Sequence, residues 1–233
     1  MWITTLKHKL GQLYWSIIKQ KDGLVYKIMK YFKSLYIWVC GIGKTNEQLE
    51  RRCDVTTLII CAHPDDETIF FFRTIKKECP FIVCMSHIGN RIRREEFQKA
   101  LDVQNVIGGI MLNFPDVPGL KWVWKRFIPC KLRKIRKFFP NIKTIYTHSG
   151  YGESGHPHHF YVHDGVVRVF DNCRIYSTAA TFHPKEEGRL DAAELEEKNY
   201  IISNLYSTQA NMLIRWCGWF DDYLHYEVYD EVK

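Results

Sequence analysis

The 233-residue chain carries 33 Lys and Arg against 26 Asp and Glu, a formal charge of +7, and is 46% hydrophobic and 15% aromatic. That length suits one sizeable domain with an ordinary core, and the composition is that of a soluble globular protein. The positive balance points to an anionic partner (phospholipid surface, phosphorylated substrate or nucleic acid) without choosing among them. Its eight cysteines form no CxxC pair and no disulfide-like framework, and several sit inside apolar runs as small hydrophobes. A reducing, cytoplasmic setting follows.

Met1 to Lys44 reads as a separate unit, with eight lysines opposed only by Asp22 and with Trp2, Tyr14, Trp15, Tyr26, Tyr31, Phe32, Tyr36 and Trp38 between them. No window approaches 18 uncharged apolar residues, which argues against a transmembrane helix, and no compact apolar region precedes a cleavage site. Val25, Ile28, Met29, Phe32, Leu35 and Tyr36 fall at helical spacing. A basic amphipathic helix of this kind can lie on an anionic membrane, peripherally, a reading preferred to one in which it packs on the rest of the domain. Gly41 to Asp54 is a polar linker, so the expected division is an extension over residues 1–54 and a domain over 55–233.

Thr57-Leu58-Ile59-Ile60 is short, apolar and rich in branched residues, hence a buried strand. Pro64 stops it and keeps His63 extended, and from Pro64 the pattern suits a helix to about Lys77, with Pro at its first position and acids in its first turn. Phe81 to Met85 is a second buried strand, and Arg91 to Gln104 an amphipathic helix whose opening turns carry Arg91, Arg93 and Arg94. Gly108-Gly109 is expected to end that helix before a short strand, Ile110 to Leu112. Asn113 to Gly119 is then a loop at the strand's carboxyl end, bringing Asp116 towards any site there; its carboxylate suits the hydroxyls of a ligand or an Asx-turn.

Lys121 to Lys137 is strongly basic with Trp122, Trp124 and Phe127 interleaved, but no nucleic-acid-binding motif accompanies it, so phospholipid headgroups suit it better than nucleic acid. Ile142 to Thr147 is a fourth strand, leading through a flexible loop, His148 to Gly155, into a helix from Pro157 to about Phe170. Cys173 to Ala180 is a further strand, Leu190 to Leu205 a charged amphipathic helix, and Met212 to Tyr226 an aromatic-rich segment. Strands alternating with helices predict a Rossmann-like α/β fold, a mainly parallel sheet with helices on both faces.

Two turns stand out: Ala62-His63-Pro64-Asp65-Asp66-Glu67 behind the first strand, and His156-Pro157-His158-His159 behind the fourth. Asp65 to Glu67 alone could simply complement a helix dipole. Two histidine-bearing turns, each at the carboxyl end of a strand, can together furnish the three nitrogen and oxygen ligands of a catalytic zinc.

The paired motifs resemble those of the zinc N-deacetylases of the LmbE-like/PIG-L family. Phe70-Phe71, Phe114-Pro115-Asp116-x-Pro118-Gly119-Leu120-x-Trp122 and Ser207-x-Gln209 extend the resemblance to the eukaryotic-type N-acetylglucosaminyl-phosphatidylinositol deacetylases, over roughly Val55 to Phe220. The resemblance implies a divalent metal, usually Zn2+, on His63, Asp66 and His159. It implies Asp65 as general base, His156 as stabiliser of the oxyanion, and Arg93 or Arg94 as an aid to substrate positioning. The implied substrate is an N-acetylglucosamine-type sugar, lipid-linked in the eukaryotic enzymes; a soluble glycoside, a surface-glycan precursor, or a non-catalytic membrane-bound role on the same fold are the alternatives. Two departures mark this chain. PIG-L enzymes carry an N-terminal membrane span, and many bacterial relatives carry Asp at the position of His158. His158 and His163 are expected to be solvent-facing helix histidines rather than ligands, and His87, His148 and His183 plain loop residues.

Overall fold

The computed structural model describes residues 28, 51–116, 120–153, 155–179, 188–210 and 224–233. The amphipathic helix expected near the N-terminus, His183 and most of the aromatic segment at 212–226 lie outside that set. Within it, a six-stranded sheet is ordered β3-β2-β1-β4-β5-β6. The strands are β1 (Thr57–Cys61), β2 (Phe81–Ser86), β3 (Gly108–Phe114), β4 (Thr144–Thr147), β5 (Arg174–Thr178) and β6 (Tyr229–Glu231). The first five pair in parallel and β6 runs antiparallel at the edge, a strand that no apolar run in the sequence announces. The helices are α1 (Asp66–Glu78), α2 (Arg91–Val103), α3 (Lys121–Arg136), α4 (Pro157–Val169) and α5 (Ala192–Tyr200), the last continuing into a π-helix over Ile201–Leu205.

Helices cover both faces, which is why β1 and β2 read as unbroken apolar runs. Alternate residues divide between two cores. Leu58, Ile60, Val83 and Met85 face α3 and α4 through Trp124, Ile128, Leu132, Val162 and Val166. Ile59, Cys61, Ile82 and Cys84 face α1 and α2 through Ile69, Phe70, Ile75, Phe97 and Leu101. Strand order reverses between β1 and β4, and ligands of open parallel sheets bind outside the carboxyl ends of the strands at such a reversal. Among the described residues, no helix is long and apolar enough to cross a membrane.

Two expectations are corrected. Gly108 and Gly109 do not end α2, which stops at Val103; they open β3, paired with Phe81 and Ile82. A Cβ on Gly109 would meet Leu101 Cδ1 at 2.6 Å, so glycine there serves the close approach of α2 to the sheet. Helix α1 opens at Asp66, two residues after Pro64, so that proline belongs to the turn and not to the first helical turn.

Gly165 marks the crossing of α4 on α3, where an added Cβ would lie 2.3 Å from Ile128 Cγ2 and 3.3 Å from Leu132 Cδ1. Overpacking a core contact costs about 1–3 kcal/mol, whereas Gly→Ala in an uncrowded helix gains about 1 kcal/mol. Gly165→Ala is therefore expected to lower the urea midpoint of unfolding; a raised midpoint would show that the two helices are not in close contact.

Candidate metal centre

The β1–α1 turn is built on an unusual backbone. Asp65 has φ +117° and ψ −31°, a region that L residues rarely adopt. Its carbonyl accepts from the amides of Thr68 (3.0 Å) and Ile69 (2.9 Å), and its own N–H donates to Glu67 Oε2 (3.0 Å). The turn thus delivers Asp66 back beneath His63, whose N–H donates to Asp66 Oδ2 at 2.7 Å.

At the end of β4 the loop expected to be flexible is tied down from within. Glu153 is buried, accepts from the Ser149 amide (2.9 Å) and from the Thr178 hydroxyl, and receives His159 Nδ1–H on Oε2 at 2.5 Å. Burial opposes its charge, but His148 and His159 outweigh that and hold the carboxyl well below the usual range. Gly152, at φ +73°, lets the His156 carbonyl approach to 2.4 Å of where a Cβ would stand. His156 then caps α4, with Pro157 at its first position as the sequence predicts.

Three atoms from these two turns converge. His63 Nδ1 lies 3.4 Å from Asp66 Oδ2, His159 Nε2 lies 3.4 Å from the same oxygen, and the two nitrogens are 3.3 Å apart. A tetrahedral ion with bonds of about 2.0–2.1 Å has ligand–ligand edges of about 3.3–3.4 Å, so the triangle fits one face of such a site. The tautomers fit as well. Glu153 takes the Nδ1 proton of His159, leaving the Nε2 lone pair inward, as carboxylates do behind metal-bound histidines. The residues present therefore suit a divalent ion with two imidazoles and one carboxylate. Overlapping His/Asp groups surround it: His63 with His156 and His159, His63 with Asp116 and His158, and Asp66 with His148 and His159.

His148 is no plain loop residue. It is buried, stacks on His159 (ring centroids 3.8 Å apart) and lies 3.2 Å from Asp66 Oδ2 through Nε2 and 3.2 Å from Glu153 Oε2 through Nδ1. Burial opposes its charge, yet Glu153 and Asp66 pull its pKa up to about 10. The Ala62 amide nevertheless donates to Nε2 at 3.0 Å, which needs a lone pair there; that contact favours the neutral ring protonated on Nδ1.

His158 is not solvent-facing either. It is buried and stacks on Trp124 (centroids 4.1 Å, 6° between planes), and its Nδ1 faces His63 Nε2 at 3.2 Å and Asp116 Oδ1 at 3.5 Å. The Trp124 indole donates to the Pro115 carbonyl (2.9 Å), which fixes the Asp116 loop beside His158. Asp116, its side chain 45% exposed, also faces His87 Nε2 at 3.5 Å, so His87 too lines the site. His163 is half-buried and donates from Nδ1 to the His148 carbonyl (2.7 Å).

Asp65 and His156 lie beside the triangle. The Asp65 carboxylate is buried, and burial raises its pKa to about 7 although Arg93 opposes the rise. The His156 ring centroid is 4.8 Å from that of His63; burial lowers its pKa to about 3, and its Nδ1 has no hydrogen-bond partner among the described residues. Arg93 is buried, with Nη2 3.3 Å from Asp65 Oδ1 and also donating to the Pro64 carbonyl. Arg94 donates to the Ile88 carbonyl (3.0 Å). Of the two arginines, Arg93 is the one brought against the site.

These features define a Rossmann-like α/β domain with a cluster of two histidines and a carboxylate at its topological switch point. The family profile described as "PIG-L: GlcNAc-PI de-N-acetylase" matches residues 58–170, so this stretch of the chain is similar to that family. A curated protein named N-acetylglucosaminyl-phosphatidylinositol de-N-acetylase, from Bos taurus, is 32% identical over 118 residues, covering 44% of this chain and 46% of that protein. The match thus spans less than half the length of that relative. The solved structure of N,N'-diacetylchitobiose deacetylase from Pyrococcus horikoshii superposes with a TM-score of 0.51 at 18% identity, over 82% of this chain and 84% of that one. That likeness establishes the fold.

Glu153, His148, His158 and His87 are the site residues to which sequence reasoning gave no part. Replacing the partner of a ligating histidine costs about 10- to 100-fold in metal affinity. Glu153→Gln, which keeps the shape, is expected to weaken zinc binding by that factor in a chelator competition; unchanged affinity would show that Glu153 only shapes the loop.

Proposed function

We propose that the protein is a metal-dependent N-deacetylase that removes acetate from an N-acetylglucosamine-type sugar. The observation that carries this reading is the triangle of His63 Nδ1, Asp66 Oδ2 and His159 Nε2, with a buried carboxylate beside it and an imidazole whose Nδ1 has no hydrogen-bond partner among the described residues. When bound there, a divalent ion supplies Lewis acidity, lowering the pKa of water and polarising a carbonyl.

The chain's own groups do the rest. Asp65 accepts a proton from the attacking water as its oxygen bonds to the acetyl carbon. His156, kept neutral by burial, donates a hydrogen bond to the oxygen on which negative charge develops. The C–N bond then breaks, Asp65 returns its proton to the departing amine, and acetate leaves. The buried Arg93 holds Asp65 rather than reaching outward, while the half-exposed Asp116 suits contact with sugar hydroxyls.

A lipid-linked sugar is the substrate we favour, supported by the motif resemblance and by the bovine relative's own name. The lysines and aromatic residues of 1–44 suit an anionic membrane surface. Full-length protein is accordingly expected to sediment with anionic vesicles at low salt, less at high salt and hardly with neutral ones; indifference to vesicle charge would remove the membrane role.

Two variants test the chemistry, with acetate release from N-acetylglucosaminyl-phosphatidylinositol as the assay. Asp65→Asn should keep its metal and lose about two to four orders of magnitude in turnover. His63→Ala should purify nearly metal-free. Near-normal turnover of Asp65→Asn, or full occupancy of His63→Ala, contradicts the reading.

A further inference from the structure

Asp65 holds a backbone conformation that L residues rarely adopt, and the groups that fix its partners come from far along the chain. Its N–H is taken by Glu67 Oε2, and Glu67 is fully buried, with Oε1 accepting from the Tyr206 hydroxyl (2.5 Å) and the Thr68 hydroxyl (2.9 Å). Its carboxylate faces Arg93 Nη2, which also donates to the preceding carbonyl, that of Pro64.

Arg93 is fixed in turn. Its Nη1 donates to Glu96 Oε2 (3.2 Å) and to Thr208 Oγ1 (3.3 Å), and its guanidinium carbon lies 5.7 Å from the centre of the Tyr206 ring. Glu96 accepts from the Thr208 amide (2.8 Å), the Thr208 hydroxyl (2.7 Å) and the Ser207 hydroxyl (3.2 Å). Backbone and side chain of Asp65 are thus clamped by two separate routes, and both end on Tyr206-Ser207-Thr208. That tripeptide follows the π-helix Ile201–Leu205, and one wide turn of this sort inside a helical stretch commonly marks a functional place. It also contains the first residue of the Ser207-x-Gln209 motif, to which the proposed chemistry gives no part.

We propose that Tyr206 and Thr208 are positioning residues for Asp65, acting through Glu67 and through Glu96–Arg93 respectively. The inference rests on the reading of Asp65 as the proton acceptor. Neither residue touches the metal triangle or, in the proposed reaction, the substrate. Their loss should therefore move turnover and leave metal content and KM alone.

A misplacement of about 1 Å at a reacting group can cost about 100-fold in rate. Tyr206→Phe, which removes one oxygen, is expected to lower kcat about 10- to 100-fold on N-acetylglucosaminyl-phosphatidylinositol, with KM and bound zinc unchanged. Thr208→Val, at an exposed position, should lower kcat several-fold. Because the effect passes through Asp65, Tyr206→Phe should add no further loss in an Asp65→Asn background. Wild-type kcat in both variants overturns the inference, as does a loss that repeats at full size on Asp65→Asn, or one confined to KM or zinc content. If Tyr206→Phe does not fold, the Thr208→Val result decides, alone and on Asp65→Asn. Wild-type turnover of Asp65→Asn itself would instead remove the proton-acceptor reading, and this inference with it.

Discussion

One carboxylate oxygen organises the site. Asp66 Oδ2 receives the His63 amide at 2.7 Å and lies 3.2 Å from His148 Nε2 and 3.4 Å from both His63 Nδ1 and His159 Nε2. Its neighbours come from the β1 turn, the end of β4 and the first turn of α4, so all three must be in register for the oxygen to be satisfied. A carboxylate this deeply buried is costly unless charges or a metal compensate it. Burial works against its ionisation, and the His63 N–H donating to Oδ2 is one of the groups that favour the carboxylate. The sheet makes the convergence possible because β1 and β4 are neighbours at the reversal of strand order.

Around that oxygen the polar groups come in layers. Glu153 faces His148 and His159 from behind and is itself held by Ser149 and Thr178. Opposite, His158 and Asp116 face the outer nitrogen of His63, with Trp124 under His158. Among the described non-glycine residues with positive φ (Asp65, Cys79, His87 and Glu153), Asp65 lies furthest from ordinary backbone geometry. Strain at the proposed proton acceptor, held by buried hydrogen bonds from elsewhere, exchanges some stability for a fixed direction of the carboxylate. On this account Asp65→Gly would relax the turn while removing the reacting group.

Much of the frame is legible in the sequence because it is local. β1 and β2 are buried on both faces, so continuous runs such as Leu58-Ile59-Ile60 and Phe81-Ile82-Val83 announce them, and Pro157 announces the start of α4. What the sequence hides is long-range. His158 reads as a polar helix residue until Trp124 packs against it, and Arg93 cannot be told from Arg94 until Asp65 and Glu96 enclose it. Gly108-Gly109 resembles a helix stop, but its reason is the approach of Leu101 to β3. β6 is three residues long at an edge and carries no apolar pattern. The one available signal for Glu153 was an acid inside a glycine-rich loop three residues before His156, and nothing local distinguishes it from a turn residue.

The central claim is that one ion sits on two imidazoles and one carboxylate, and X-ray absorption of the zinc-loaded full-length protein tests it most directly. The account predicts a single zinc per chain, with two imidazole nitrogens and light oxygen ligands at about 2.0–2.1 Å. A shell of three or four imidazoles would place the ion among His156, His158 or His148 instead and contradict the assignment. Zinc that washes out without a defined imidazole shell would contradict the metal centre itself.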